Sequence, residues 1–285
     1  MIAVKLEGRL GNQLFQYAFI YAAAKRLNTR FYLDKSIEDF FPQKYFTIKN
    51  DPIFFLDRWL FSINGFKNIF RIHLKKAFYK TLEQTIFGEK KILIGNEQPV
   101  ADELNRITNG YIYQGNFQSE KYFSDYKEDI RALFSIKKSY ADLFTEINKN
   151  IPQLRKKIAV HIRRGDYMEL NIAIPISYYK KVLNMISNED ATYVFISDDI
   201  QLVEKEFDYI ENKYISDNNE IIDLQFLMNA DVCILSNSSF SWWGAWLNQN
   251  PDKIIFAPKR WIGFNMDKEY PVGISDNLDI NWITV

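Results

Sequence analysis

The sequence predicts an α/β protein with parallel sheets, and it indicates two domains. Short apolar strands alternate with helical segments through much of the chain, which is the pattern of βαβ units. A polar stretch at 135–157, which contains Pro152, separates an irregular first part from a strongly regular second part. The length of 285 residues suits two domains of ordinary size. We therefore expect an N-terminal domain at 1–150 and a C-terminal domain at 151–285.

The N-terminal domain is expected to open with one βαβ unit. Residues 2–6 form an apolar run that predicts a buried strand, and the glycine-containing loop GRLGNQ follows at 8–13. An apolar segment at 14–27 predicts a helix, and FYLD at 31–34 predicts the next strand. A strand, a helix and a second strand in this order give a parallel pair.

Residues from about 40 to 110 lack a clear period and are expected to form a helical or irregular insertion. Within it, the basic segment 67–80 has the pattern of an amphipathic helix. One interpretation of this segment is a partly solvated lid, and the other is a surface that contacts an anionic membrane.

The C-terminal domain is expected to form a doubly wound parallel sheet. Five predicted strands alternate there with predicted helices, which is the repeating order of that fold. The strands are expected at 157–164, 192–197, 213–216, 231–236 and 253–258, and the helices at 177–187, 200–206, 221–230 and 240–247.

Composition excludes several classes of function. Lys+Arg and Asp+Glu are equal at 36 each, so the chain lacks the basic excess that nucleic-acid binding requires. The single cysteine, Cys233, permits neither an intramolecular disulfide nor a cysteine zinc cage, and only two histidines are present. Charged residues interrupt the apolar start of the chain, and no apolar run is long enough to span a bilayer. The expected location is the cytoplasm, and no metal is expected.

Four polar loops follow predicted strands, at the edge where an open α/β sheet binds its ligands. They are GRLGNQ at 8–13, HIRRGDYME at 161–169, SDD at 197–199 and SNSS at 236–239. The sequence contains no GKS or GKT phosphate loop, no GxSxG elbow and no HExxH motif. These absences remove several classes of hydrolase, kinase and metalloprotease.

The loop HIRRGDY carries two arginines at the end of a strand. Strand alternation places His161 and Arg163 on one side and Arg164 on the other. An arginine at this point can bind a diphosphate with two parallel hydrogen bonds. Asp166 can hold one of the arginines, or it can simply pair with Arg164 across a solvated turn.

The other loops have both a binding and a structural interpretation. Asp223 can contact a ligand or can favour the N-terminus of its helix, and Ser238 or Ser239 can bind phosphate or cap the next helix. SDD can likewise cap a helix, and GRLGNQ can be a tight turn. Tryptophans 242, 243 and 246 lie at helical spacing, which is typical of a core and less often of a surface that stacks on sugars.

Taken together, GRLGNQLFQYA, HIRRGDY, SDD and DLQFLMNADVCILSNSSFSWWGAWL resemble the α-1,2-fucosyltransferases of glycosyltransferase family 11. The motif HIRRGDY is also similar to the arginine motif of α-1,6- and protein O-fucosyltransferases. The resemblance implies a GT-B-type fold, with two Rossmann-like domains whose parallel sheets face a cleft. It also implies a GDP-fucose donor bound by the C-terminal domain and a glycan acceptor beside the N-terminal one.

The resemblance implies roles for individual residues by their motif positions. Arg163 would contact the β-phosphate, and His161 and Asp223 the guanine. The serine loop would contact the phosphates, and the glycine loop would lie beside the diphosphate and the acceptor. The implied donor-binding residues are His161, Arg163, Asp223, Ser238, Ser239, Phe240, Gly11 and Asn12, with Gly8 nearby, and the implied acceptor residue is Gln13.

The resemblance also implies an inverting, metal-independent transfer in which Arg163 is catalytic. The glutamate base of the α-1,6 enzymes falls near Asn171 here, so Asp166 and Glu169 are the candidate bases. The expected acceptor is the 2-hydroxyl of a terminal β-galactoside, within a surface polysaccharide or a lipid-linked oligosaccharide. The alternatives are a fucosyltransferase of another linkage, a different nucleotide-sugar transferase and a non-catalytic glycan-binding protein.

Overall fold

The structure is a computed structural model, and it describes residues 1–48, 68–186, 190–275 and 280–285. The chain divides into two compact units, Met1–Ile136 and Lys137–Val285. Each unit contains a parallel β-sheet with helices packed against it.

The first unit contains the predicted βαβ unit at its start. The elements are β1 Ile2–Lys5, α1 Leu10–Arg26, β2 Phe31–Asp34, α2 Pro42–Tyr45, α3 Asn68–Leu82, a π-helical turn Glu83–Phe87, β3 Lys91–Leu93, α4 Val100–Asn105, β4 Ile112–Gln114, 3-10 turns Glu120–Tyr122 and Ser124–Tyr126, and α5 Lys127–Leu133. Strands β1 and β2 pair in parallel, with Ile2 opposite Phe31, and the helix between them is buried on most of its surface. The described sheet has the order β2-β1-β4-β3.

The region expected to be an insertion at about 40–110 contributes to this unit's sheet and core. Strand β3 pairs with β4 at the edge of the sheet. Tyr79 of α3 is buried, and its ring stacks on Tyr32 of β2. The spacing of apolar residues did not reveal β3 because it has three residues and two of them are exposed.

The described part of the basic segment 67–80 is helical, and the helix docks on the unit by one face. Lys75 is buried and pairs with Asp39 at 2.6 Å, while Ile72 and Leu74 are about half exposed. Lys67 lies outside the described residues. The charge of Lys75 is thus paired with a carboxylate of the protein. Contact of this helix with a membrane stays a prediction. Of the helices in the described ranges, not one combines the length and apolar character that crossing a bilayer demands.

The second unit has the regular alternation that the sequence predicts. The elements are α6 Lys138–Lys149, β5 Lys156–Ile162, α7 Gly165–Glu169, α8 Ile176–Met185, β6 Ala191–Ser197, α9 Ile200–Glu206, β7 Lys213–Ser216, α10 Glu220–Met228, β8 Val232–Ile234, α11 Ser239–Leu247, β9 Ile254–Pro258, a 3-10 turn Ile262–Met266 and β10 Asn281–Ile283. The described strands form one parallel sheet in the order β10-β9-β8-β5-β6-β7, so β5 lies in the interior between β8 and β6.

The division between the units lies earlier than the boundary expected after residue 150. Helix α6 packs on α10 of the second unit, where the rings of Phe144 and Phe226 are 5.1 Å apart. The amide of Gln225 also donates to the carbonyl oxygen of Tyr140. Polar composition placed this helix before the boundary, in the N-terminal domain, because only one of its residues is buried and its packing on α10 leaves little apolar signal.

The tryptophans of α11 belong to the core, as their helical spacing indicates. Trp242, Trp243 and Trp246 are all buried, and their rings pack at 5.1 to 6.2 Å from one another. Gly244 lies among them where α11 meets α10. A Cβ at this position would lie 2.5 Å from the Cβ of Leu227, so only glycine permits this close approach.

We predict that Gly244→Ala lowers the free energy of unfolding by about 1 to 3 kcal/mol, the usual cost of overpacking a core. In an uncrowded helix the same change is stabilising, by roughly 1 kcal/mol. Gly95→Ala is the control, because a Cβ there would meet nothing closer than 4.0 Å. Urea unfolding of both variants measures the difference. A Gly244→Ala variant at least as stable as the wild type would contradict this packing.

Candidate active site

The candidate site is built around the carboxyl end of β5. This strand is in register with β6, with Ile162 opposite Ser197, so the residues that follow them, Arg163 and Asp198, emerge side by side. Because the carboxyl ends of parallel strands meet at one edge, polar side chains that follow them converge there. This register explains why two charges 35 positions apart in the sequence form a pair.

Arg163 lies between two carboxylates. Its Nη2 is 2.5 Å from Oδ1 of Asp166, and its Nη1 is 2.7 Å from Oδ2 of Asp198. The guanidinium carbon lies 5.6 Å from the centre of the Tyr167 ring, within the range of a cation–π interaction. The sequence offered Arg164 as a partner of Asp166, but the structure pairs Asp166 with Arg163. The side chain of Arg163 is about one-fifth exposed, so it can still reach a ligand.

Asp198 has a second anchor in the same turn. Its Oδ1 accepts a hydrogen bond from the main-chain N–H of Arg164 at 2.8 Å. A Cβ on Gly165 would lie 2.6 Å from the Asp198 carboxylate, so glycine at this position makes room for it. The next residue, Asp199, is the one that caps α9, by accepting from the N–H of Leu202. The capping interpretation of SDD therefore applies to Asp199, while Asp198 belongs to the arginine site.

The loop SNSS after β8 is buried and internally hydrogen-bonded. Ser238 caps α11 by accepting from the N–H of Phe240 at 3.3 Å, as the capping interpretation predicts. Ser241 donates to the carbonyl oxygens of Ser236 and Ser238. Asn237 is fully buried and donates to the carbonyl oxygen of Ile172. These bonds fix the loop, and Ser239 and Phe240 remain partly exposed at the start of the helix.

His161 joins the arginine loop to the serine loop. Its Nδ1 is 2.8 Å from the hydroxyl oxygen of Ser236, and its ring lies 5.3 Å from that of Phe240. Burial, and next the charge of Arg163, lower the pKa of His161 to about 3. The imidazole is therefore neutral at physiological pH, with one nitrogen as donor and the other as acceptor. Tyr167 makes a second link, because its hydroxyl donates to the carbonyl oxygen of Asn237 at 3.5 Å.

Asp223 lies in the first turn of α10, but Asn219 is the residue that caps this helix. The carboxylate of Asp223 accepts a hydrogen bond of 2.5 Å from the hydroxyl of Ser216, the last residue of β7. Asn218 in turn donates to the Ser216 oxygen at 2.8 Å. Burial raises the pKa of Asp223 to about 7. The carboxylate thus lies at a helix terminus and is also oriented by a hydroxyl, and burial brings its pKa close to neutral pH.

Glu169 is exposed in the last turn of α7. No contact between Glu169 and Arg163 is found among the described residues, so the two candidate bases differ in their relation to the arginine. Asp166 is paired with the arginine, and Glu169 is solvated. Asn171, which follows this helix, has a left-handed backbone with φ of 54°, and its carbonyl oxygen accepts from Asn265.

The glycine loop belongs to the first unit. Gly8 has φ of 76°, and a Cβ there would lie 2.6 Å from the amide nitrogen of Asn12, so both conformation and space require glycine. Gly11 is buried in the first turn of α1. The amide oxygen of Asn12 accepts from Gln118 at 3.0 Å. The loop is thus a tight turn, and it is also held against a second loop that follows β4.

Gln13 is fully buried in the first unit. Its amide nitrogen donates to the carbonyl oxygens of Gly8 and Asp39, and its amide oxygen accepts from the N–H of Phe41. The side chain therefore ties together the loops that follow β1 and β2. The acceptor contact that the resemblance implies for Gln13 stays a prediction.

Sequence reasoning missed four residues that the structure brings into these networks: Asp198, Tyr167, Ser236 and Ser216. Asp198 follows a strand and Ser216 ends one, whereas Tyr167 and Ser236 lie within the motifs HIRRGDY and SNSS. A position at a strand end or within a motif was therefore the available signal. Their partners depend on strand register, which the motif spacing does not give. In the described ranges, no group of three or more His, Cys, Asp or Glu side chains is arranged to hold a metal ion.

Comparison with known proteins gives consistent results. The sequence model described as Glycosyl transferase family 11 matches residues 92–285. The O-antigen biosynthesis glycosyltransferase WbnK of Escherichia coli is 30% identical, over 91% of this chain and 94% of that protein. An α-1,2-colitosyltransferase of Escherichia coli is 29% identical, over 92% of each chain.

The fold is also shared with a solved structure. The fucosyltransferase NodZ from Bradyrhizobium matches with a TM-score of 0.51 at 12% identity, over 86% of this chain and 91% of that chain. The predicted fold class is confirmed as α/β, of GT-B type, with Rossmann-like parallel sheets in both units. The matched family region includes the whole unit that carries Arg163, the serine loop and Asp223, and WbnK is similar across nearly the full length. This protein therefore belongs to glycosyltransferase family 11.

Proposed function

We propose that this glycosyltransferase transfers L-fucose from GDP-β-L-fucose to the 2-hydroxyl of a terminal β-galactoside, with inversion and without a metal ion. The observation that carries the proposal is the arginine site. Arg163 is fixed at the carboxyl end of an interior strand, and the serine loop is linked to the same strand end through His161. Such a site suits an anionic leaving group, because a planar guanidinium matches a pair of phosphate oxygens.

The donor phosphates are assigned to Arg163 and the start of α11. The first N–H groups of a helix lack partners within the helix and attract anions. Ser239 and Phe240, at the start of α11, are partly exposed, and Ser238 keeps the helix terminus in place. The resemblance to fucosyltransferases implies that Arg163 contacts the β-phosphate. This is the phosphate bonded to the sugar, and it gains negative charge when that bond breaks.

The guanine is assigned to His161 and Asp223. A neutral imidazole can donate or accept a hydrogen bond without introducing a charge, and burial keeps His161 neutral. An ionised Asp223 can accept hydrogen bonds from the ring and amino N–H groups of guanine. The hydroxyl of Ser216 orients this carboxylate.

Arg163 supplies the main electrostatic contribution to the reaction. Inversion requires one displacement by the acceptor hydroxyl and no covalent intermediate on the enzyme. The sugar becomes positively charged as its bond to the diphosphate stretches, by analogy with glycoside cleavage. Negative charge develops on the leaving diphosphate, where Arg163 and helix N–H groups stabilise it without reorganising. These groups take the part that a metal ion takes in other transferases.

Asp166 and Glu169 are the proposed bases for the acceptor hydroxyl. Asp166 is near the leaving group but must leave Arg163 before it can accept a proton. Glu169 is exposed at the end of α7. Base assistance typically contributes ~100- to 10000-fold in rate. Near-normal turnover in both Asp166→Asn and Glu169→Gln would exclude both residues from this role.

The acceptor is proposed to lie against the glycine loop of the first unit. Gln13 donates to the carbonyl oxygen of Gly8, and Gln16 bonds both main-chain groups of Glu7, so the loop offers a fixed surface. The names of the relatives point to surface polysaccharide as the setting and to α-1,2 as the linkage. A lipid-linked oligosaccharide acceptor would be consistent with peripheral membrane contact through α3.

A second donor sugar, colitose, is favoured by the similarity to the α-1,2-colitosyltransferase. Colitose is L-fucose without its 3-hydroxyl group. A site that hydrogen-bonds this hydroxyl rejects the deoxy sugar strongly, whereas an apolar site accepts both. Comparing GDP-fucose with GDP-colitose therefore separates the two candidates.

The proposed function predicts that GDP is released from GDP-fucose in the presence of lactose and EDTA. Coupled detection of GDP measures the rate, and mass spectrometry identifies the fucosylated product. Release without lactose is the control for hydrolysis. If the protein shows no affinity for GDP in calorimetry, the donor assignment is wrong; if EDTA abolishes turnover, metal independence is wrong.

We predict that Arg163→Ala lowers kcat/KM by ~100- to 1000-fold, the usual effect of losing one donor to a developing anion. Arg163→Lys keeps the positive charge but loses the planar pair of donors, so its rate should fall between those of the wild type and the alanine variant. Thermal unfolding checks that both variants fold. Activity of Arg163→Ala above one tenth of the wild type would remove the arginine from this role.

GDP binding should weaken as the pH falls through 7, because only the ionised form of Asp223 accepts from guanine. With a pKa of about 7, most of the carboxyl is protonated at pH 6 in the free protein. We expect roughly tenfold weaker binding at pH 6 than at pH 8 from this group alone. Asp223→Asn is the control, because its side chain does not titrate and the pH dependence of GDP itself remains. The same pH dependence in wild type and Asp223→Asn would contradict the assignment.

A further inference from the structure

We propose that the two carboxylates on Arg163 have opposite roles: Asp198 fixes the guanidinium, and Asp166 is an exchangeable partner that the donor diphosphate displaces. This inference rests on the proposed contact between Arg163 and the β-phosphate. It adds Asp198 as a positioning residue, and it gives Asp166 a function in donor binding.

Asp198 is the anchored carboxylate. It uses one oxygen for Nη1 of Arg163 and the other for the main-chain N–H of Arg164. Its side chain is 26% exposed, and the missing side chain of Gly165 leaves the space that it occupies. A ligand that displaced Asp198 would break two interactions at once, with Nη1 of Arg163 and with the Arg164 N–H, whereas displacing Asp166 breaks one.

Asp166 has none of these constraints. Its side chain is 46% exposed, and its described ion pair is the single one to Nη2 of Arg163. It lies in the first turn of the short helix α7, where a rotation about its side-chain bonds moves the carboxylate into solvent. Exposed ion pairs of this kind contribute little to stability, so a ligand can replace them at small cost.

The guanidinium can keep its place during the exchange. Its Nη1 stays with Asp198, and its face stays over the Tyr167 ring, whose hydroxyl is bonded to Asn237. Departure of Asp166 uncovers Nη2, while Asp198 keeps Nη1. A phosphate oxygen there gains a charge-assisted hydrogen bond, whereas a phosphate beside an undisplaced Asp166 would meet a like charge.

The exchange also connects donor binding with proton transfer. While Asp166 is paired with Arg163, its Oδ1 is occupied by the guanidinium. Once a phosphate replaces it, the carboxylate is beside the leaving group and free to accept a proton. Donor binding would thus prepare Asp166 for the acceptor hydroxyl.

The test is calorimetric titration of GDP and GMP into the full chain and four variants. Asp166→Asn should tighten GDP binding by about two- to fivefold, the range expected for releasing an exposed ion pair. Asp198→Asn should weaken it by about tenfold or more, as for a lost charged hydrogen bond. Both changes remove one negative charge, so a purely electrostatic effect would have the same sign in the two variants.

Gly165→Ala and Glu169→Gln complete the design. Gly165→Ala keeps every charge but places a methyl group 2.6 Å from the position of the Asp198 carboxylate, so it should weaken GDP binding as Asp198→Asn does. Glu169→Gln removes a charge from the same helix as Asp166 and should alter GDP affinity less than Asp166→Asn. GMP lacks the β-phosphate, so its affinity should change little in Asp198→Asn and Gly165→Ala, which a general loss of structure would not allow.

The outcomes separate this inference from the proposed function. A wild-type protein that binds neither nucleotide contradicts the proposed function. A wild-type protein that binds GDP, with Asp166→Asn binding it no more tightly, contradicts the exchange alone. Equal loss of GDP and GMP affinity in Asp198→Asn and Gly165→Ala would contradict the positioning role of Asp198.

Discussion

The pairing of Asp198 with Arg163 is the interaction on which the rest of the site depends. An arginine at a strand end has several rotatable bonds, and fixing such a side chain costs about 1.5 to 2 kcal/mol of conformational entropy. The register of β5 with β6 places a carboxylate beside it, and the Arg164 N–H holds that carboxylate. The guanidinium is therefore oriented before a ligand arrives, and an oriented charge stabilises a transition state better than a mobile one.

The electrostatics of the surrounding residues follow the same logic. His161 is buried beside Arg163 and stays neutral, so it adds no second positive charge and serves as a hydrogen-bonding group. Hydrogen bonds from Ser241 to two carbonyl oxygens hold the serine loop at the start of α11, and a helix N-terminus attracts anions. Asp223 lies apart, attached to the end of β7, which suits a ligand with a phosphate end and a separate polar base.

The sequence predicted the second unit well because its strands are apolar, regularly spaced and separated by helices of ordinary length. Strand β3 and helix α6 were misjudged, since a short exposed strand and a polar helix leave little periodic signal. Motif positions located Arg163 and the serine loop. The sequence could not show that Asp198, and not Asp199, pairs with Arg163, because this pairing depends on strand register and on the space beside Gly165. Gln13 is buried by contacts with Asp39 and Phe41, which lie outside the motif GRLGNQ, so the motif did not predict its burial.

A crystal structure of the protein with GDP tests the central claim most directly. The account predicts that the β-phosphate lies within hydrogen-bonding distance of the Arg163 guanidinium, that Asp198 still pairs with it, and that the Asp166 carboxylate has moved away. A diphosphate bound elsewhere, or bound beside an Arg163 that has left Asp198, would contradict the account.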